Sequence, residues 1–428
     1  MTEIDATPAP ARRRPVRART TWMAAVLLAG GLALTGCSTT STDAATSSTT
    51  SSAASSSTSS SITDAAAAST TDATTTAQTI SDTAAAAEAF LATLSEEQRE
   101  AVLYAYDDET KTTSWSNFPV TFVERAGLNL TDLTVEQQSA ALAVLEALLS
   151  DEAYQTVTAI MGGDEYLLEN SNSTEESLGQ YYIAFFGDPS TTNAFEVQFG
   201  GHHLGINATL DGASGAITFA PTHLGVQPAA YTDEDGNEVQ PFDGIYTDAF
   251  AFFDSLTAEQ QATLTSGEVS ACAPGDTCDF ATGTGLTGAD LTEEQKQLLL
   301  ELIANWAGMA DEESTATTLA RIEATLDGTV VAWSGETTYD MSTGDGISFS
   351  ISGPNVYVSF QAQNGSAGAD VEGVTTSGWG HVHTIYRDPT NDYAGSVTQQ
   401  AASGMGGGAA PGGAPSGGAP SGGAPSTE

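Results

Sequence analysis

Four times along this chain a leucine precedes Ser or Thr, and a glutamine follows three residues after that hydroxyl: "LSEEQ" from Leu94, "LTVEQ" from Leu133, "LTAEQ" from Leu256 and "LTEEQ" from Leu291. This is capping-box spacing. The hydroxyl accepts a backbone N–H of the first helical turn while the glutamine reaches back to the cap, and the leucine ahead can staple onto the turn. The motif therefore predicts four helix starts, two in each half of the chain. The second and fourth run on into "AALAVLEALLS" and "QLLLELIANWAGM", whose apolar residues recur at helical spacing.

Strand signals repeat as well. "VQFGGHHLGINA" from Val197 aligns without a gap to "FSISGPNVYVSF" from Phe349, pairing Gly201 with Gly353, Leu204 with Val356 and Ile206 with Val358. Apolar alternation on both sides of a glycine turn predicts a hairpin in each. Upstream, "YIAFFGDP" resembles "VVAWSGET". The expected fold is α+β: two similar units, each helices first and antiparallel sheet after, over residues 84–245 and 246–398, an internal duplication packed as one globular region.

The flanks do not fold on this reading. Residues 1–37 combine "RRRPVRAR", the apolar run "WMAAVLLAGGLAL" and "LTGC" ending at Cys37. That order predicts a lipoprotein signal peptide of the bacterial kind, cleaved ahead of Cys37, whose sulfur takes the lipid. Residues 38–80 are Ser, Thr or Ala at all but six positions, a tether reaching about 35–40 Å from the membrane. Residues 399–428 form a Gly/Pro/Ser tail. The expected location is extracytoplasmic, with the lipid anchor as the sole membrane contact. After lipidation Cys272 and Cys278 remain, spaced as "CAPGDTC", and the Pro-Gly turn between them predicts a small-loop disulfide.

Charge excludes a partner class. Arginines 12, 13, 14, 17 and 19 leave with the signal, as do Glu3 and Asp5, so the processed chain carries 6 basic and 53 acidic side chains, a formal charge of −47. Such a surface repels phosphate backbones, so no nucleic-acid partner is expected. No Gly-x-Ser-x-Gly, phosphate loop, dinucleotide fingerprint or His-Glu-x-x-His is present. The acids of "TDEDGNEVQPFDG" lack calcium-loop spacing and read as a solvated turn.

The five histidines carry what chemistry the sequence offers. "HVHTIYR" reads as a strand with Trp379, His381, His383, Ile385 and Arg387 on one face, which sets two imidazoles side by side. In the first hairpin, strand parity sets His203 on the polar face with Glu196, Gln198 and Asn207 and His202 on the other, so the adjacent pair is expected to point apart. His203, His381 and His383, with His202 as a further donor, form the expected set for a transition metal such as zinc or copper. His223 lies between Pro221 and Pro228 in an expected loop. Arg387 begins "RDPTNDY", and two roles stay open for it: pinning that loop through Asp388 or Asp392, or clamping an anion beside the histidine row.

"FEVQFGGHHLGIN", "PTHLGVQP" and "HVHTIYRDPTNDY", in that order behind repeated "LTxEQ" helices and "WSNFP" at 115–119, resemble the domain of unknown function 3500 family over the region between the linkers. The resemblance implies a secreted or surface-anchored protein and transfers no catalytic role. Phe195, Gly200 and His223 depart from the family's pattern, where tryptophan, aspartate and an aromatic or aliphatic residue are expected.

Two functions follow from these residues. In one, a histidine-held metal activates water for hydrolase-like chemistry on a small molecule or surface ligand. In the other, the histidines and Arg387 are structural in a non-catalytic, tethered binding module.

Overall fold

The computed structural model describes residues 74–264 and 284–397. The signal peptide, Cys37, Cys272, Cys278, nearly all of the tether and the tail lie outside them. All four "L-S/T-x-x-Q" motifs open helices, and each makes both bonds of a capping box, around Ser95, Thr134, Thr257 and Thr292. The helices are α1 (Thr76–Ala92), α2 (Glu96–Val102), α3 (Val135–Leu148), α4 (Asp151–Asn170), α5 (Asp243–Ser255), α6 (Ala258–Gln261), α7 (Glu293–Ala307) and α8 (Glu312–Glu323). Helix α1 begins inside the stretch expected to be tether. Its stripe of Thr76, Thr79, Ile80, Thr83, Ala84, Ala87, Phe90 and Leu91 is buried, small residues doing the packing that large ones do elsewhere. No helix among the described residues is long and apolar enough to cross a membrane.

The strands are β1 (Leu103–Tyr104), β2 (Leu128–Asn129), β3 (Tyr182–Phe186), β4 (Ala194–Gly200), β5 (Leu204–Asp211), β6 (Ala216–Thr218), β7 (Thr222–Val226), β8 (Tyr231–Thr232), β9 (Glu238–Val239), β10 (Leu286–Thr287), β11 (Val330–Gly335), β12 (Ile347–Ser352), β13 (Tyr357–Gln363) and β14 (Gly378–Arg387). Twelve of them form one mixed sheet whose spine runs β1-β3-β4-β5-β7-β14-β13-β12-β11-β10, with β2 beside β3 and β6 beside β5. Only β1 and β3 run parallel, and β8 with β9 forms a separate ribbon. At the centre β7 and β14 pair antiparallel, Val382 opposite Val226 through Tyr386 opposite Thr222.

Alternation assigns the two faces of the sheet. Val197, Phe199, Leu204, Ile206, Leu224, Val382, Val358 and Phe360 join Phe90, Leu145, Ile160, Ile303 and Trp306 of the helices in one core. Burying each such side chain fully contributes about 1.5–3 kcal/mol. The opposite face is polar yet equally enclosed. Glu196, Gln198, Asn207, Thr209 and His223 are all buried there, beneath loops pinned by bonds such as Trp115 Nε1 to Tyr393 Oη (2.8 Å) and Gln198 Nε2 to the Lys111 carbonyl (3.0 Å).

Trp379 does not share the histidines' face. The register steps from Ala362 opposite Val382 to Gln363 opposite Gly378, a bulge that inserts residues 379–381. Trp379 therefore packs with Tyr246 of α5, itself against Phe360, on the helix side.

Candidate metal centre

The five histidines converge where β7 meets β14. His223 is not in a loop. It lies on β7, fully buried, and the prolines at 221 and 228 flank the strand instead of interrupting it. His381 and His383 lie side by side on β14, as the period of two predicts, with ring centroids 5.1 Å apart. His202 and His203 do not point apart: their rings stack at 4.1 Å. Strand parity fails because β4 ends at Gly200 and β5 begins at Leu204. The pair sits in the turn closed by the Gly201 N–H to the Leu204 carbonyl (2.8 Å), outside the ladder.

That turn is braced. Arg125 donates through Nε (3.2 Å) and Nη2 (2.7 Å) to the Gly201 carbonyl, and through Nη2 to the carbonyls of Ser116 and Phe118 at 2.8 and 2.6 Å. At Gly225, opposite His383, a Cβ would stand 3.1 Å from the His223 ring and 3.3 Å from the His203 ring, so the strand is hollowed to admit the imidazoles.

A residue outside the expected set completes the arrangement. Asp164 of α4, 1 % exposed, holds His203 Nδ1 at 2.5 Å through Oδ1 and accepts the Tyr181 hydroxyl at 2.7 Å through Oδ2. Its signal is legible in retrospect. Val157, Ile160, Asp164 and Leu167 mark the buried stripe of the helix, and an acid in an apolar stripe calls for a buried partner.

Ring nitrogens of His202, His203 and His383 lie within 4.8 Å of one another, a group that could hold a metal ion. The same three residues have buried nitrogens without partners: His202 Nδ1, His203 Nε2 and His383 Nδ1. His381, expected as a ligand, stands outside this group. Its Nε2 lies 3.2 Å from His383 Nε2, and its Nδ1 lies 3.2 Å from the Gly365 carbonyl. If His383 ligates through Nδ1, its Nε2 carries the proton and donates to His381 Nε2. His381 is then protonated on Nδ1 and donates to Gly365. On that arrangement His381 would fix the tautomer of His383, as Asp164 would for His203.

Burial keeps the cluster unprotonated. Burial, the largest influence throughout, holds His202, His203 and His383 well below the ordinary histidine range and lowers His381, with neighbouring imidazoles adding to the effect at His202, His203 and His383. Burial takes His223 to about 4 against the carbonyls of Thr384 and His202, which favour its proton. At neutral pH the rings are neutral, the form that binds metal. Burial pushes Asp164 up to about 6, opposed by the surrounding histidines and the Tyr181 hydroxyl.

The other expected residues lie elsewhere in role. Arg387 Nε bonds Asp392 Oδ2 at 2.7 Å, and Asp392 Oδ1 accepts the Asp388 N–H at 2.8 Å, so this pair pins the loop. Asp388 pairs with Arg321 of α8, and not with Arg387. The turn at Asp233 is solvated, its carboxylate accepting the N–H groups of Asp235 and Asn237.

The family model described as "Protein of unknown function (DUF3500)" matches residues 76–395, from the first turn of α1 to the loop after β14, with every histidine of the cluster inside it. The chain belongs to this family. No curated protein and no solved structure matches it. Gly200, where the family resemblance leads one to expect aspartate, has no room for one in this chain. A Cβ there would stand 2.2 Å from the Leu204 carbonyl oxygen, and the carboxylate beside the histidines comes from Asp164 of α4.

Proposed function

We propose that this member of the DUF3500 family is an extracytoplasmic, lipid-anchored protein that binds one transition-metal ion, zinc or copper, through His202 Nδ1, His203 Nε2 and His383 Nδ1. One observation carries the reading. The three residues whose ring nitrogens converge are the same three that bury an unpartnered nitrogen, and an unpartnered buried polar atom costs about 1–3 kcal/mol unless a ligand satisfies it. Three neutral imidazoles suit zinc and copper, and Asp164 and His381 orient two of them from behind.

Three protein ligands leave a fourth position for water, which a zinc-like ion would ionise near neutral pH, the basis of a hydrolase-like reading. The enclosure favours the second reading, a non-catalytic metal clamp: His203 and His383 are 0 and 3 % exposed, and Gln227 Nε2 ties the adjoining loop at the carbonyls of Ser366 and Thr376, both 2.9 Å. On either reading the ion joins the halves, with two ligands from the first and one from the second.

The proposal includes the duplication of an α+β unit. It is supported by the order of elements among the described residues, which in both halves runs helix, capping-box helix, short strand (two in the first half, β1 and β2, and β10 in the second), capping-box helix, helix and antiparallel strands. Equivalent turn bonds support it too, Gly201 N–H to Leu204 and Gly353 N–H to Val356 at 2.8 and 2.7 Å.

The test is metal content. Protein purified without chelating resin and measured by elemental mass spectrometry is expected to carry about one equivalent of zinc or copper, lost in His203→Ala. Absence of metal after incubation with either ion would refute the reading.

A further inference from the structure

No histidine of the cluster is more than 8 % exposed, and the segments that enclose it differ in how firmly they are held. The β7–β14 ladder is central in the sheet. The turn carrying His202 and His203 is gripped by Arg125 through the carbonyls of Gly201, Ser116 and Phe118. Helix α4, which brings Asp164, packs along Val157, Ile160 and Leu167. The connection from β13 to β14, residues 364–377, is another wall, its Gly365 carbonyl 3.2 Å from His381 Nδ1.

This last wall is held at few points. Within it only Ala369 and Thr376 are buried, and Ala369 packs with Leu167 and Leu178 in a small cluster apart from the main core. Gln227, just past the end of β7 and 3 % exposed, donates through Nε2 to the carbonyls of Ser366 and Thr376, one near each end of the connection, both at 2.9 Å. Ala367 takes a φ of 50°, a left-handed conformation that a β-carbon disfavours, so the closed form stores backbone strain against sparse packing. Segments with that balance open locally while the sheet stays intact. We infer that residues 364–377 form a lid over the histidines, latched by Gln227, which opens to pass the ion proposed above in and out. The inference rests on the metal reading for what passes the lid, and on the contacts just described for its opening.

The test is acylation of the histidines by diethyl pyrocarbonate in metal-free, untagged protein at neutral pH, read by peptide mass spectrometry. All five histidines of the chain lie in the cluster, so none elsewhere contributes, and the unpartnered nitrogens of His202, His203 and His383 react once the reagent reaches them. Acylation is expected to be about tenfold faster in Gln227→Ala, which removes both latch bonds. Gln138→Ala removes the same chemistry elsewhere, an amide donating to the carbonyls of Leu130 and Leu133, and should change the rate less than about twofold. Should Gln227→Ala fail to fold, Ala369→Asp, which sets a charge against Leu167 and Leu178, should give the same rise. Unchanged acylation in these lid variants, or an equal rise in Gln138→Ala, would overturn the lid. Zinc release from loaded protein to a chelator should quicken by the same factor. Faster acylation with unchanged release would overturn the lid as the ion's path, whereas protein that takes up no zinc or copper would fail the metal reading and leave the acylation result to decide the lid.

Discussion

Replacing Asp164 with asparagine should move stability and metal affinity in opposite directions. The carboxyl is fully buried and its folded-state pKa is raised from 3.8 to about 6. A carboxyl raised in this way costs the fold nothing below about pH 4. It costs progressively more as pH climbs to about 6, and the full amount above. Two pH units correspond to about 3 kcal/mol at neutral pH, an upper bound on what Asp164→Asn recovers in the metal-free protein, because asparagine must still accept both the His203 N–H and the Tyr181 hydroxyl. Metal affinity should fall about 10–100-fold, the usual effect of removing a carboxylate behind a ligating histidine. Denaturant melts of metal-free protein at pH 4 and pH 7.5, with chelator competition at pH 7.5, measure both. The reasoning is refuted if metal-free Asp164→Asn is the less stable protein at pH 7.5, or if its affinity for zinc and copper matches the parent's.

Other substitutions separate the roles around the cluster. His383→Ala should abolish stoichiometric metal binding, whereas His381→Ala should keep about one equivalent with about tenfold weaker affinity; equal loss in both would make His381 a ligand. Saturating the parent at 100 times its Kd should raise its unfolding free energy by about 2.7 kcal/mol, an increment absent from His383→Ala. Glu196 lies fully buried with Oε1 unpartnered, and burial raises its pKa from 4.5 to about 8 despite Lys111. The parent should therefore lose stability relative to Glu196→Gln as pH rises from about 5 to 8, while the two melt alike at pH 4. Gly200→Ala should destabilise by at least about 2 kcal/mol in chemical denaturation, since its Cβ would meet the Leu204 oxygen at 2.2 Å and the Gly205 Cα at 2.9 Å, backbone atoms with no rotamer to yield.

Local rules read from the sequence survive in the structure wherever the chain is regular. The capping boxes open their helices, and the period of two sets His381 beside His383. The same rule fails wherever the ladder is interrupted. Residues 202 and 203 belong to a turn, where parity has no meaning, and the bulge at 379–381 turns Trp379 to the other face. Pairings that cross the chain were hidden for a different reason. Asp164 meets His203 across 39 positions and Arg321 meets Asp388 across 67, and spacing carries no information at that range. Asp388 was a fair partner for Arg387 by proximity, but the turn geometry hands that role to Asp392. His223 was obscured by its flanking prolines, which bound a central strand as readily as they bound a loop.

The β7–β14 ladder makes each half of the chain the neighbour that closes the other's open edge. A single peptide-bond cut between the halves would leave two fragments that remain mated along five rungs and a common core. Neither fragment alone would hold all three nitrogens. If the proposed ion binds there, reassociation of the separated pieces would be readable as its return, the metal reporting that two polypeptides have become one protein again.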